Sequence, residues 1–201
     1  MSVQTSPKTV QITDPPFAAS FFGSPRWAWL WLIARVFVGY QWLTAGIEKL
    51  QTPAWAQTGL ALKGFWTGAV AIPAAPAHPA ITYNWYRVFL QALLDAQSYV
   101  WFSKLIIAGE ILIGIALILG AFVGVAAFFG GFMNWNFMLA GSASVNPVLF
   151  AISVFLILAW KTAGWWGLDR FLLPMMGTPW KPGRVFSKET VADTASPVRV
   201  S

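Results

Sequence analysis

The chain has no cysteine and a single histidine, His78, in 201 residues. The first absence excludes thiol nucleophiles, disulfides, Fe–S clusters and a catalytic CxxC pair. The second leaves no group of imidazoles for haem or metal, so no metal site is expected. Charge is scarce too. Charged residues make up 10% of the chain, whereas a soluble domain carries roughly 25%. Phosphate-binding glycine loops, HExxH and GxSxG are also missing. What is there is apolar: 57% hydrophobic residues and a mean hydropathy of +0.61. That balance excludes soluble, disordered and fibrous classes and leaves an integral membrane protein. The net charge of +6 reads as Lys and Arg in cytoplasmic tails. It does not read as nucleic-acid binding, since no basic stripe lies beside stacking aromatics.

Hydropathy predicts an all-α membrane four-helix bundle with amphipathic interfacial segments. A span needs roughly 20 apolar residues. Such stretches run over 27–47, 101–119, 121–140 and 148–163. Residues 1–26 and 181–201 read as polar tails. Residues 51–100 form an outer loop, in which Pro73, Pro76 and Pro79 forbid a continuous helix through 51–83. Asn84 to Val100 follows a helical period but is too polar to span, so it is expected at the bilayer surface. Trp165 to Trp180 reads as a second interfacial stretch. Lys8, Arg26, Arg170, Lys181, Arg184, Lys188 and Arg199 lie on the side of the termini, against Lys63 and Arg87 in the long loop. Both termini are therefore expected in the cytoplasm, and the protein in the inner membrane of the cell.

Ionisable groups inside a span are costly and mark function. Two stand out. Arg35 lies about 12 Å and Glu110 about 15 Å from the inner ends of their helices, at 1.5 Å per residue. Opposite charges at one depth are expected to pair. Glu110 is the candidate proton-transfer group and Arg35 its partner, although a pair that only fixes helix register fits equally well. Further along, Asn134-Trp135-Asn136 sits among Met133, Phe137 and Met138. Amide donors in an apolar aromatic setting suit a quinone, with interhelical hydrogen bonding as the plainer reading. Lys49 and Lys104, at the outer rim, are candidates for attracting a small anion.

Three stretches carry a family resemblance. Arg35, Gly39, Gln41-Trp42, Ala45-Gly46 and Lys49-Leu50 resemble the first-helix pattern of the DoxX family. The run from Gly131 to Pro147 is similar to the branch near DoxD. Ala163 to Pro174, with Gly177 to Trp180, also fits. The resemblance covers about residues 27–180. It implies a four-helix membrane bundle that couples oxidation of thiosulfate, or a similar small sulfur anion, to reduction of a quinone. It also implies a separate DoxA-like chain or another membrane redox subunit as partner, since no such portion is visible here.

The sequence therefore predicts a membrane quinone-interacting oxidoreductase subunit with quinone as electron acceptor. Glu110 and Arg35 are its catalytic candidates, Lys49 and Lys104 its substrate-binding ones, and Asn134, Trp135 and Asn136 hold the quinone. The alternative is a non-catalytic membrane subunit that anchors or assembles a larger respiratory or redox complex. The electron donor, the quinone type and the oligomeric state are left open.

Overall fold

Proline and glycine divide the chain where the helices divide. In the computed structural model, which describes residues 14–178, Pro16 starts α1 (Pro16–Gly23) and Pro25 a 3-10 turn (Pro25–Trp27). Helix α2 follows (Ala28–Gln51), and Pro53 opens the short α3 (Pro53–Ala56). Pro fits the first helical turn, where its missing N–H has no partner to lose. Next come α4 (Leu60–Val70), α5 (Asn84–Asp95), α6 (Tyr99–Leu119), α7 (Val123–Leu139), α8 (Asn146–Leu158) and α9 (Asp169–Met175). The described residues are all-helical and contain no strand.

Two helical stretches, Pro25–Gln51 and Tyr99–Leu119, are long and apolar enough to cross a membrane. Val123–Leu139 and Asn146–Leu158 are apolar but shorter. The expected third and fourth spans are thus trimmed. Ala121 and the left-handed Phe122 hold α7 back to Val123, and after Leu158 the chain turns through 159–168. Helices α2, α6, α7 and α8 run alternately up and down. Gly39 of α2 meets Gly114 of α6, and Gly124 of α7 meets Trp160 just beyond α8. The core between them is built on Trp31, Val38, Trp42, Leu117, Val123, Leu149 and Leu156. A second core under α4 and α5 gathers Leu62, Trp66, Ile81, Tyr86 and Leu90.

Several expectations need correction. The tail 1–26 is helical over Pro16–Gly23, where Phe21 and Phe22 pack on Trp31; residues 1–13 lie outside the described part. The loop 51–100 contains α3 and α4, because its three clustered prolines all follow Val70. The stretch from Trp165, read as interfacial and ended by Pro174 and Pro179, is helical over Asp169–Met175 with Pro174 inside that helix; Pro179 lies outside the described residues. The tail 181–201, with four of the seven basic residues counted on the side of the termini, lies outside the described residues.

The outward faces of the four long helices are apolar: Ile33 and Phe37, Leu105 and Leu112, Val125 and Phe132, Phe155 and Leu158 are all exposed. Several polar or charged side chains are inside. Arg35, Glu110, Asn134, Ser153, Thr162 and Asp169 are each at most 2% exposed. This inverts the usual arrangement of a water-soluble protein.

Candidate functional site

Small residues set the register of α2 against α6. A Cβ on Gly114 would stand 2.6 Å from the Leu43 backbone nitrogen, and one on Gly46 2.7 Å from Ile111 Cγ1. With the backbones this close, Lys49, one turn beyond Gly46, faces Glu110. Its Nζ donates to both carboxylate oxygens, at 2.8 and 2.9 Å. This is the only ion pair found among the described residues. The same ammonium lies 5.4 Å from the centre of the Trp55 ring. Glu110 is buried and Lys49 partly so.

Arg35 is therefore not the partner of Glu110, contrary to expectation. Counting from the inner ends assumes that the start of α2 and the end of α6 lie level. They do not: Arg35 stands beside the last turn of α6, with the first two turns of α2 reaching past it. Its Nη1 donates to the Leu117 and Ile118 carbonyls, both at 2.6 Å, and its Nη2 to the Trp166 carbonyl at 2.9 Å. These are the carbonyls that a helix C-terminus leaves open. Gly120, left-handed at φ +70°, brings the guanidinium within reach: a Cβ there would lie 2.8 Å from Arg35 Cζ. Next to it Asp169 caps α7 across the turn, accepting from the Phe122 and Val123 amides at 2.5 and 2.9 Å. Burial pushes the Asp169 carboxyl up; the two amides and the Arg35 charge pull it down. This end of the bundle is a structural knot.

The Lys49 end holds two cavities. The first, about 380 Å³, is polar and has Lys49 and Glu110 in its wall with Gln41, Glu48, Ser142 and Asn146. The second, about 190 Å³, is aromatic: Trp66, Phe89, Phe102 and Phe132 line it, with Tyr86 and Asn136 as its polar groups. The Tyr86 hydroxyl donates to the Asn136 backbone carbonyl at 3.0 Å and lies 3.2 Å from its Oδ1, while Nδ2 donates to the Phe132 carbonyl. Burial pushes the Tyr86 phenol up to about 12, so it stays protonated at neutral pH. Phe65 and Phe137 line both cavities and form the wall between them.

The other expected residues scatter. Asn134 is fully buried and faces away from the aromatic cavity, whereas Asn136 lines it. Two residues apart on a helix, they cannot share a face. Trp135 is 45% exposed, leans on Phe132 and lines neither cavity. Lys104 is exposed in a shallow depression with Leu50 and Ile111, apart from Lys49. Lys49 and Lys104 do not form one anion funnel, and the charge of Lys49 is already balanced by Glu110. Sequence reasoning missed Tyr86, and it missed Lys49 as the partner of Glu110. The spacing of Gly39, Gly46 and Gly114 was the signal that could have given the register.

Fold and cavities together define a class: an all-helical protein with two helices fit to cross a membrane and a buried ion pair beneath a polar pocket. Comparison of the chain with protein-family models, with curated proteins and with solved structures gives no match.

Proposed function

We propose that the chain is a four-span inner-membrane protein with both termini in the cytoplasm, and a quinone-interacting oxidoreductase subunit of the kind the DoxX resemblance implies. The apolar outer faces and polar interior support the bilayer setting, since lipid tolerates the first and polar groups need partners inside. One observation carries the redox reading: a polar cavity and an aromatic cavity share the Phe65–Phe137 wall. A donor and an acceptor need two such unlike spaces side by side.

In this reading the aromatic cavity takes the quinone ring. Asn136 Nδ2, with a second N–H beyond the one given to Phe132, and Tyr86, once its hydroxyl turns from the Asn136 carbonyl, are its hydrogen-bond donors, in place of Asn134 and Trp135. The polar cavity takes the donor, thiosulfate or a similar sulfur anion. Two thiosulfates joined through a new S–S bond release two electrons; the quinone takes them with two protons and leaves as quinol. Lys49 meets the anion. With Glu48 and Glu110 also in the wall, the pocket is not positive while both are ionised. Anion binding therefore goes with protonation of Glu110, which is its proton-transfer role here. A DoxA-like chain completes the enzyme if the subunit does not turn over alone.

The test is titration of the purified chain with a short-chain quinone, followed by tryptophan fluorescence. Saturable quenching, weakened at least tenfold in Asn136→Leu and Tyr86→Phe but not in Lys104→Ala, is the expected result. A quinone effect that is absent, or indifferent to both changes, sinks the reading. The assembly-subunit alternative draws on the apolar outer face of α5, where Trp85 and Val88 are exposed. It predicts companion chains that stay bound through purification and no turnover on adding quinone and thiosulfate.

A further inference from the structure

Trp42 Nε1, both amide atoms of Asn134 and Ser153 Oγ are buried and have no hydrogen-bond partner among the described residues. They belong to one seam. Trp42 Nε1 lies 2.9 Å from where a Cβ on Gly130 would stand, and Ser153 Cβ lies 3.4 Å from the same point on Gly131. Asn134 is the next turn of α7 on that face, about 6 Å further along the axis. Trp42 of α2 and Ser153 of α8 thus face two adjacent glycines of α7, with Asn134 one turn along the same helix, and each of the three is at most 3% exposed. Buried polar groups are almost always paired with protein or with ordered water.

The chemistry of the set is complementary. The indole N–H only donates; the Asn134 amide and the Ser153 hydroxyl both donate and accept. A water about 2.8 Å from each of two neighbours bridges polar atoms up to about 5.6 Å apart. Meanwhile the Trp42 side chain also lines the polar pocket with Glu110.

We propose that the seam between α2, α7 and α8 is an internal water site, in which ordered water accepts from Trp42 and bridges Asn134 to Ser153. The site carries the polar character of the Glu110 pocket past the indole and into the helical core. It does not depend on the quinone reading.

Two measurements on the full chain test this. A structure at a resolution that shows water is expected to reveal density within hydrogen-bond distance of at least two of Trp42 Nε1, Asn134 and Ser153 Oγ. Polar atoms bonded directly to one another, with no density between, overturn the proposal. Thermal unfolding of Ser153→Ala and Asn134→Leu gives an opposite sign for the two cases. In a hydrated seam each change takes a partner from the water and lowers Tm by several degrees. In a dry seam each removes an unpaired polar atom, and a raised Tm in both variants overturns the proposal.

Discussion

Phe65 of α4 and Phe137 of α7 meet edge to face, with ring centres 6.4 Å apart and planes at 63°. Both rings line the polar cavity and the aromatic one. A short-chain quinone and thiosulfate are expected to bind the native chain independently. In Phe137→Ala the two spaces merge and the two molecules compete. Loss of the ring also lowers stability, by less than the roughly 3 kcal/mol of a fully buried aromatic, since Phe137 is only partly buried. Competition titrations on native and variant chains check both halves.

The Lys49–Glu110 pair gives a second expectation. Removing one partner of a buried pair strands the other, at about 3 kcal/mol. Lys49→Met should therefore unfold at lower temperature than Glu110→Gln, which leaves no stranded carboxylate. The double variant Lys49→Met with Glu110→Gln should recover most of the loss. Equal, additive losses in a thermal double-mutant cycle would show that the two side chains are not coupled.

Arg35 is expected to tolerate no exchange, lysine included. A guanidinium reaches three carbonyls with a planar fork, and an ammonium on a flexible stem does not. Arg35→Lys should lose about 2 kcal/mol, the scale of a charged hydrogen bond. Amide exchange near Leu117 and Trp166 should rise with it, while Lys104→Ala leaves both unchanged.

Glycines offer an internal contrast. Gly114→Ala drives a methyl into the Leu43 backbone, which should cost about 1–3 kcal/mol as overpacking. Gly64 and Gly68, both in α4, have nothing within 4 Å of an added Cβ. Alanine at either should stabilise the helix by about 0.5–1 kcal/mol. Thermal unfolding of the three variants reads the difference in sign.

The raised Tyr86 phenol predicts an alkaline limit. An unfolded tyrosine loses its proton near pH 10, while the folded one holds it up to about 12. Between those values the folded state binds more protons, so stability falls as pH rises. Below pH 10 the contribution is complete. Tyr86→Phe should remove this part of the alkaline loss, seen as a flatter Tm between pH 10 and 12.

Much of the helical layout was legible because apolar runs and prolines act locally. Gly120 ended α6 where expected, and the buried Arg35 and Glu110 stood out by charge alone. What the sequence concealed was relative height. Whether Glu110 faces Arg35 or Lys49 depends on how two helices slide past one another. That is fixed by the contacts of Gly39, Gly46 and Gly114, which no depth count along one helix contains. Likewise Asn134 and Asn136 look alike in the chain, and only the rotation of α7 sends one into the core and the other to Tyr86.

Arg35 also bears on the order in which the molecule is completed. Its last carbonyl partner, Trp166, is 131 residues downstream. Until that segment has been made, α2 and α6 can be side by side with the guanidinium only partly engaged. Synthesis thus passes α8 before Arg35 of α2 has its last partner, and a chain truncated ahead of Trp166 lacks one of the three carbonyls that hold the guanidinium.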